Sequence, residues 1–273
     1  MNAGERTLVH VTPHPDDEAL GCPGTLLTLQ EHGWRIVNLL VGLGRDEQHE
    51  RREAEAKAAS MRAGYELVVA EPPARLGSTD DLAAAQTVLV QVVLRAIEEY
   101  SPAVVVTASP HDSHHGHEVV ARATISAVAQ LDDPPVLWMW GMWSDLAFPT
   151  IRATFDRRIL ELAKDVLREY GGEVDRNDYV RLLERRAEVN SILGAERVFG
   201  FGSQNAGGDY ADLLTECIMT ERGWELGSPR ELLPAREPAG APSGRPIGWW
   251  FQADSPQTEM HKRFNANRDS APT

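Results

Sequence analysis

Hydrophobic and polar positions form two alternating patterns along the first half of the chain. Short runs that are apolar throughout, as in buried strands, are separated by longer segments whose apolar residues recur every three or four positions, as in helices. The predicted strands cover residues 7–12, 35–41, 65–70 and 103–108. The predicted helices between them cover residues 19–32, 51–63 and 80–100.

Strict alternation of strand and helix, with strands that are apolar on both faces, predicts a mostly parallel sheet covered by helices. The expected fold class is therefore α/β, with a Rossmann-like, mostly parallel sheet flanked by helices. Ligands of such sheets bind beyond the carboxyl ends of the strands. We therefore expect the active site at that edge, directly after residues 12, 41 or 108.

The second half of the chain has a different pattern of hydrophobic and polar residues. Residues 136–143 are predicted to form an aromatic strand, and residues 155–170 and 178–193 two charged amphipathic helices. From residue 234 onward the chain is rich in Pro, Gly and polar residues, which is typical of a poorly anchored tail, although its aromatic residues 249–251 indicate that part of it packs. We divide the chain into a domain of residues 1–233 and a partly packed tail of residues 234–273.

Charge and cysteine content narrow the classes of protein. The 27 Lys and Arg residues against 41 Asp and Glu residues give a net charge of −14, which disfavours nucleic acid and membrane partners. No apolar run approaches the ~20 residues of a membrane helix, and the polar amino terminus carries no secretory signal, so a cytoplasmic protein is expected, with homo-oligomerisation open. Cys22 and Cys217 are too few for a disulfide framework or a cysteine zinc site. Any metal is therefore expected to be held by imidazole and carboxylate groups.

Two polar segments follow the first and fourth predicted strands. The sequence HPDDE occupies residues 14–18, and PHDSHHGHE occupies residues 110–118 and includes four of the nine histidines. Both segments are expected at the same edge of the sheet, so their side chains can converge. A catalytic zinc site uses three ligands from His, Asp or Glu and keeps one position for water. The two segments supply such a set.

The spacing within each segment indicates which side chains act together. His14 and Asp17 are three positions apart at the start of a helix and can share a metal, and the carboxylate of Asp16 between them is of the type that serves as a general base. His114 and His117 are also three positions apart, so one can bind metal while the other reaches the substrate.

Other interpretations of these segments are open. An acidic first turn that complements a helix dipole would explain residues 16–18, and a His-rich surface turn would explain residues 111–117. A second register pairs His111 with His114 instead of His114 with His117. The position of both segments at strand ends, on the predicted functional edge, favours the metal site.

Residues 14–18, followed by Pro23-Gly24-Thr25-Leu26, resemble the first motif of the PIG-L or LmbE-like family of zinc-dependent de-N-acetylases. His114-His115-Gly116-His117 resembles the second motif, usually His-Pro-Asp-His, and Arg52 with Glu55 matches an Arg-x-x-Glu feature. The resemblance extends from about residue 7 to residue 125. It implies one Zn²⁺ per chain and a small-molecule N-acetylated amino-sugar substrate.

Position by position, the resemblance implies that His14, Asp17 and His117 bind zinc, that Asp16 is the general base and that His114 is the electrophilic and acid partner. The implied activity is hydrolysis of the N-acetyl (acyl) group of an amino sugar or amino-sugar-containing metabolite, with metal-bound water as nucleophile. The alternatives are an amidase for a larger acyl or thiol-conjugate amide, and a non-catalytic sugar- or nucleotide-binding protein. The sequence has no Gly-x-Gly-x-x-Gly loop after the first strand, where a dinucleotide-binding protein needs one, and this disfavours the last alternative.

One position departs from the family pattern. Gly116 stands where the family has an aspartate that orients the acid histidine, and either Asp112 or His115 is a candidate to replace it. Substrate contacts are expected from Arg52, whose guanidinium donates several directed hydrogen bonds, and from Asp80. A helix ion pair for Arg52 and a turn or helix cap for Asp80 are the alternatives.

The predicted aromatic strand offers a further candidate surface. Trp138, Trp140 and Trp143 would form an aromatic wall for a sugar, or pack in the core, which strand alternation explains equally well.

Overall fold

The structure, a computed structural model, describes residues 6–204, 207–234 and 239–253. Its strands are β1 Thr7–Thr12, β2 Arg35–Leu40, β3 Glu66–Val69, β4 Val104–Ala108, β5 Val136–Trp140, β6 Ile151–Phe155, β7 Tyr210–Thr220, β8 Gly223–Gly227, β9 Arg230–Glu231 and β10 Pro242–Pro246. The parallel strands lie in the order β3-β2-β1-β4-β5, and antiparallel β7, β8 and β10 extend the sheet beyond β5. Strand β6 pairs with β7 and β9 beside this path. The predicted fold class is confirmed.

Helices cover both faces of the sheet. They are α1 Asp17–Leu20, α2 Pro23–Glu31, α3 His49–Ala63, α4 Leu82–Tyr100, α5 His115–Val128, α6 Arg157–Arg168, α7 Gly171–Val174, α8 Tyr179–Phe199 and α9 Gly248–Gln252. Apolar residues of α2, α3, α6 and α8 share one core cluster with the sheet, and those of α4, α5 and α9 share another. Alternate residues of β1 enter the two clusters, Leu8 the first and Val9 the second, because successive side chains of a strand point to opposite faces.

The parallel register brings the predicted segments together. Thr12 pairs with Leu40, and His10 pairs with Val106, so β1, β2 and β4 end at one edge of the sheet. The segment after β1 leads directly into α1, and the segment after β4 leads into α5.

Three features differ from the predicted elements. The predicted helix 19–32 is broken at residues 21–22 into α1 and α2, with Pro23 starting α2, where its missing N–H costs no hydrogen bond. Phe155 ends β6 and does not start a helix. The antiparallel strands β7 to β10 were not predicted.

The carboxyl-terminal part is described as far as residue 253. Trp250 and Phe251 are buried, whereas Trp249 is 63% exposed. Residues 254–273 of the predicted tail lie outside the described residues, and the boundary at residue 234 stays a prediction. No helix among the described residues is long and apolar enough to cross a membrane.

Candidate active site

The first segment of the site is the turn between β1 and α1. The backbone N–H of His14 donates to Asp17 Oδ2 at 2.8 Å, and His14 Nδ1 lies 3.2 Å from the same oxygen. Asp16 has a φ of 103°, in the left-handed region that residues other than glycine rarely adopt. Such strain is often found where a side chain must be held for function. Both aspartates are buried.

The second segment lies between β4 and α5 and is organised around Asp112. Asp112 is fully buried, and its Oδ1 accepts hydrogen bonds from the backbone N–H groups of residues 142–144 at 2.5, 3.0 and 3.3 Å. Its Oδ2 accepts from His117 Nδ1 at 2.7 Å. The other ring nitrogen of His117, Nε2, lies 3.1 Å from Asp17 Oδ1. The two segments therefore meet at the contact between His117 and Asp17.

A third imidazole lies beside this contact. One ligand atom each from His14, His114 and His117 lie within 4.8 Å of one another. The ring centroids of His114 are 4.9 Å from His14 and 4.5 Å from His117. Among the described residues, these three imidazoles form the set of possible metal ligands, and Asp17 lies beside it with its two oxygens facing His14 and His117.

The charges around His117 fit a divalent cation. Two buried carboxylates, Asp17 and Asp112, face this one imidazole, and buried charge is costly unless it is balanced. Asp17 Oδ1 lies 3.1 Å from His117 Nε2 and Asp17 Oδ2 lies 3.2 Å from His14 Nδ1, so imidazole and carboxylate groups of the types that bind zinc face one another here. A carboxylate on the far nitrogen of a metal-binding histidine, as Asp112 is here, fixes which nitrogen is free for the metal. The residues present therefore fit a zinc ion.

The two adjacent aspartates have opposite electrostatic environments. Burial would raise the pKa of Asp17, but His117 and His14 hold it well below its usual range. Burial, the charge of Asp17 and the charge of Glu173 raise the pKa of Asp16 well above its usual range. The pKa of His117 would be lowered by burial, but the facing carboxylates raise it to about 10. A carboxyl group with a raised pKa is suited to exchange protons near neutral pH.

His114 is neutral in this environment. Burial, together with the charges of His117 and His14, lowers the pKa of His114 to about 3. Its Nδ1 atom is buried and has no hydrogen-bond partner among the described residues. A neutral imidazole can donate a hydrogen bond to a carbonyl oxygen, whereas its predicted role as an acid stays a prediction.

The prediction that Asp112 orients His114 is wrong. The start of α5 places residue 117, not residue 114, against the Asp112 carboxylate. The ring of His115 lies next to that of His114, with 4.7 Å between centroids.

Gly116 departs from the family motif for a steric reason. A Cβ atom at this position would lie 2.6 Å from Cε1 of His14, so no aspartate fits there unless His14 moves. The histidines of the two possible registers also make different contacts. His111 contacts the backbone carbonyl of Trp250 through Nε2 at 2.7 Å, whereas His117 contacts Asp17 of the first segment.

Two cavities meet at the candidate site and share His14 and His114. The first, of about 440 Å³, is also lined by Asp16 and Arg52. The second, of about 420 Å³, is also lined by Asp80. A larger cavity, of about 860 Å³, lies beside α9 and contains none of the predicted site residues. We assign the substrate to the cavities at the histidines, because the reactive groups lie there.

The two predicted substrate contacts have structural partners as well. Arg52 is buried and its Nη2 donates to Glu173 Oε1 at 2.7 Å, while its Nε has no hydrogen-bond partner among the described residues. Asp80 Oδ2 accepts from the Gly77 N–H at 2.8 Å, as expected for a turn. Glu173 was not predicted, since nothing in the local pattern of α7 connects it with Arg52, 121 positions earlier.

The three tryptophans have different roles. Trp138 and Trp140 are fully buried in the core, whereas Trp143 is 48% exposed and lines the larger of the two site cavities. The ring of Trp143 lies 6.4 Å from that of His114. Of the three tryptophans, Trp143 is therefore the one that a substrate at the histidines can reach.

Comparison with known proteins agrees with the motifs. The family model for PIG-L, the GlcNAc-PI de-N-acetylases, matches residues 9–128, which include both segments of the site. The resemblance to the PIG-L family is confirmed. The description of that family agrees with the predicted enzyme class, an N-deacetylase. No curated protein matches the chain.

Several solved structures share the fold of this chain. The A40926 pseudoaglycone deacetylase Dbv21 is 17% identical, with a TM-score of 0.61 over 77% of this chain and 95% of that one. The N,N'-diacetylchitobiose deacetylase of Pyrococcus horikoshii is 14% identical, with a TM-score of 0.59 over 94% of this chain and 89% of that one. The 4-carboxy-2-hydroxymuconate hydratase GalB of Pseudomonas putida KT2440 is 15% identical, with a TM-score of 0.59 over 77% and 95%. Because these structures include a hydratase, the fold alone does not set the reaction.

Proposed function

We propose that this protein is a zinc-dependent hydrolase that removes an N-acetyl group from an amino sugar or an amino-sugar-containing metabolite. The observation that carries the proposal is the Asp17 carboxylate, which has one oxygen facing His14 and the other facing His117, beside the cavity lined by Asp16. The family match over both segments supports the same reaction class.

His14, Asp17 and His117 would hold the metal. We favour Asp17 over His114 as the third ligand, because its carboxylate lies against both imidazoles, balances the charge of a divalent cation and belongs to the matched family segment. A zinc ion bound there would supply Lewis acidity, which lowers the pKa of water to ~7 and polarises a carbonyl group. His114 then stays available to the substrate.

The chain's own residues supply the proton transfers. Asp16, whose pKa is raised, accepts a proton from the attacking water and returns it to the departing amine. The N–H of neutral His114 donates a hydrogen bond to the amide oxygen as negative charge develops on it. The amine leaves as a neutral molecule only when it receives a proton, which is why a carboxyl group with a raised pKa beside the reacting atoms matters.

The wall of the larger site cavity is compatible with a sugar. Trp143 offers a half-exposed aromatic face on which the apolar face of a sugar ring can pack. Arg52, fixed by Glu173, has an unpartnered Nε donor for a hydroxyl or carbonyl oxygen. An aromatic face together with a fixed donor suits a ring that has both C–H and hydroxyl groups.

The proposal is tested by measuring metal content and deacetylation together. Purified protein is screened with N-acetylated amino sugars for acetate and free amine, before chelation, after chelation and after zinc is restored. We expect activity to be lost and regained with the metal. Asp16→Asn should keep zinc and lose about 10²–10⁴-fold in kcat, and His117→Ala should lose both.

The control is His32→Asn, which changes an exposed histidine at the end of α2, away from the site. It should keep zinc and activity. Nearly normal turnover in Asp16→Asn, or activity that is indifferent to chelation, would refute the proposal. One equivalent of zinc with no turnover of any amide would favour a binding protein.

An amidase for larger acyl groups is the second candidate, and the second site cavity favours it. About 420 Å³ beside His14 and His114 is more space than an acetyl group fills. Comparing N-acetyl, N-butanoyl and N-benzoyl glucosamine separates the candidates, since a preference for a longer acyl group in kcat/KM selects the amidase.

A further inference from the structure

Arg45 lies where the two site cavities meet. It lines both of them, together with His14 and His114. The chain has a net charge of −14, which repels anionic ligands overall. A positively charged group at this place would attract an anionic ligand locally.

The other arginines of the larger site cavity are held by carboxylates. Arg51 donates to Glu55 at 2.6 Å. Arg52 and Arg176 both donate to Glu173, at 2.7 and 2.5 Å. Each of these guanidinium groups therefore already has a carboxylate partner in the protein, although Arg52 and Arg176 share one.

Arg45 differs from these arginines. Its guanidinium forms no hydrogen bond or ion pair within residues 6–204, 207–234 and 239–253. The adjacent carboxylate, Asp46, lies 3.4 Å from Arg75 and 3.7 Å from His49 instead. Arg45 is exposed, so its donors can reach a ligand in either cavity.

The backbone that carries Arg45 is fixed to the cavity wall. Its carbonyl accepts the Gln48 N–H at 2.9 Å, which closes a short 3-10 helix before α3. The preceding Gly44 has a φ of 79°, and a Cβ there would lie 2.3 Å from Arg52 Nη1. The chain at residue 44 is therefore packed directly on Arg52, which Glu173 holds in turn.

We propose that Arg45 binds an anionic group of the substrate, so that the preferred substrate is a negatively charged N-acylated amino sugar. This inference rests on the proposed function and specifies its substrate class. A guanidinium group binds carboxylate or phosphate oxygens through two parallel hydrogen bonds, which neutral hydroxyl groups do not match. Arg45 is thus a specificity-determining residue, outside the groups that carry out the reaction.

The test compares Arg45→Gln with the wild-type enzyme on three substrates. The probes are neutral N-acetylglucosamine, its 6-phosphate, and N-acetylmuramic acid, which carries a carboxylate. We expect KM for at least one charged probe to rise about tenfold or more in the variant, with kcat within about twofold and neutral turnover unchanged. The probe that responds identifies phosphate or carboxylate as the group bound.

Two further variants distinguish the effect of the positive charge at residue 45 from the effect of removing a positive charge elsewhere on the protein. Arg45→Lys keeps the positive charge without the planar fork and should restore part of the affinity. Arg158→Gln removes an exposed arginine on α6 that pairs with Glu31 and should change none of the three KM values.

The inference is overturned if wild-type enzyme prefers the neutral probe, or if Arg45→Gln changes KM equally for neutral and charged probes. If no probe is turned over, the proposed function fails, and binding still tests Arg45. Calorimetric titration of the zinc-loaded protein with the 6-phosphate and with N-acetylmuramic acid should then give at least about tenfold weaker binding of one of them to Arg45→Gln. Equal binding of both ligands by the two proteins would overturn the assignment.

Discussion

The two segments of the site are held in place in different ways. In the first, between β1 and α1, the key contacts are local, since His14 bonds to Asp17 three positions later. In the second, between β4 and α5, Asp112 is held by backbone groups that begin 30 positions later, and His111 contacts a carbonyl 139 positions later.

This difference affects how a substitution in each segment is expected to act. The first segment supplies two proposed ligands and a proposed base from four consecutive positions. The second supplies one proposed ligand, and its orientation depends on a carboxylate that the rest of the fold fixes. Substitutions of the proposed ligands should therefore act directly on metal binding, whereas substitution of Asp112 should act through the support that it gives His117.

Asp17→Asn should give the largest effect, because it removes a ligand charge between two imidazoles. We expect zinc affinity to fall by more than about 100-fold, beyond the range for supporting residues, with activity lost in parallel. Competition with a chromophoric chelator measures the affinity. Asp165→Asn, an exposed aspartate on α6, is the control, and an Asp17→Asn protein that binds zinc as the wild type does would favour His114 as the third ligand.

The comparison also explains how far the sequence could predict the site. HPDDE at a strand end was sufficient to place His14 and Asp17 together, because both lie within one turn of a helix start. The convergence with His117 followed from the common edge of parallel strands. The partner of Asp112 could not be predicted, since it depends on the register of α5 and on the backbone of residues 142–144.

The fold was predictable to a similar extent. Parallel strands buried on both faces give continuous apolar runs, so β1 to β5 were found within one or two residues, apart from the end of β5. Strand β7 was missed because it buries Asp212 and Glu216, which interrupt the apolar pattern. Glu216 is compatible with the core because Trp138 and Arg230 donate to it at 2.9 and 2.6 Å.

Asp112→Asn should have the next largest effect and tests the indirect support of the second segment. Asparagine keeps an oxygen for the backbone N–H groups of residues 142–144 but loses the carboxylate that faces His117. We expect zinc affinity to fall about 10–100-fold. The free energy of unfolding of the metal-free protein should fall as well, because the buried ion pair with His117 is lost. Unchanged zinc affinity would show that the carboxylate does not support the metal ligand.

Gly116→Ala tests the close approach of the two segments. The added methyl group would lie 2.6 Å from Cε1 of His14, so His14 or the start of α5 must shift, at a cost of about 1–3 kcal/mol. Zinc affinity should fall by up to about tenfold. Gly248→Ala in α9, where the nearest atom to the new methyl group is 4.0 Å away, should leave it unchanged, and equal results for both variants would contradict the steric argument.

Asp212→Asn should have the smallest effect on the site, with zinc affinity within about twofold of the wild type. Asp212 lies on β7 and accepts hydrogen bonds from the N–H and Oγ1 of Thr25, at 2.7 and 2.9 Å, so it supports the helix that follows the first segment. Burial raises the pKa of Asp212 to about 6, although the hydrogen bonds from Thr25 oppose the shift.

The raised pKa of Asp212 means that folding favours its neutral form. Its contribution to the free energy of unfolding is present below about pH 4 and is lost as pH rises through about 6. Between pH 4 and pH 7 the wild type should therefore lose about 2 kcal/mol that Asp212→Asn does not lose. Urea unfolding at several pH values measures this difference, and the exposed Asp132→Asn is the control. A constant difference between wild type and Asp212→Asn across this range would mean that Asp212 keeps its charge in the core. The start of α2 would then be held by a carboxylate ion and not by a neutral carboxyl group.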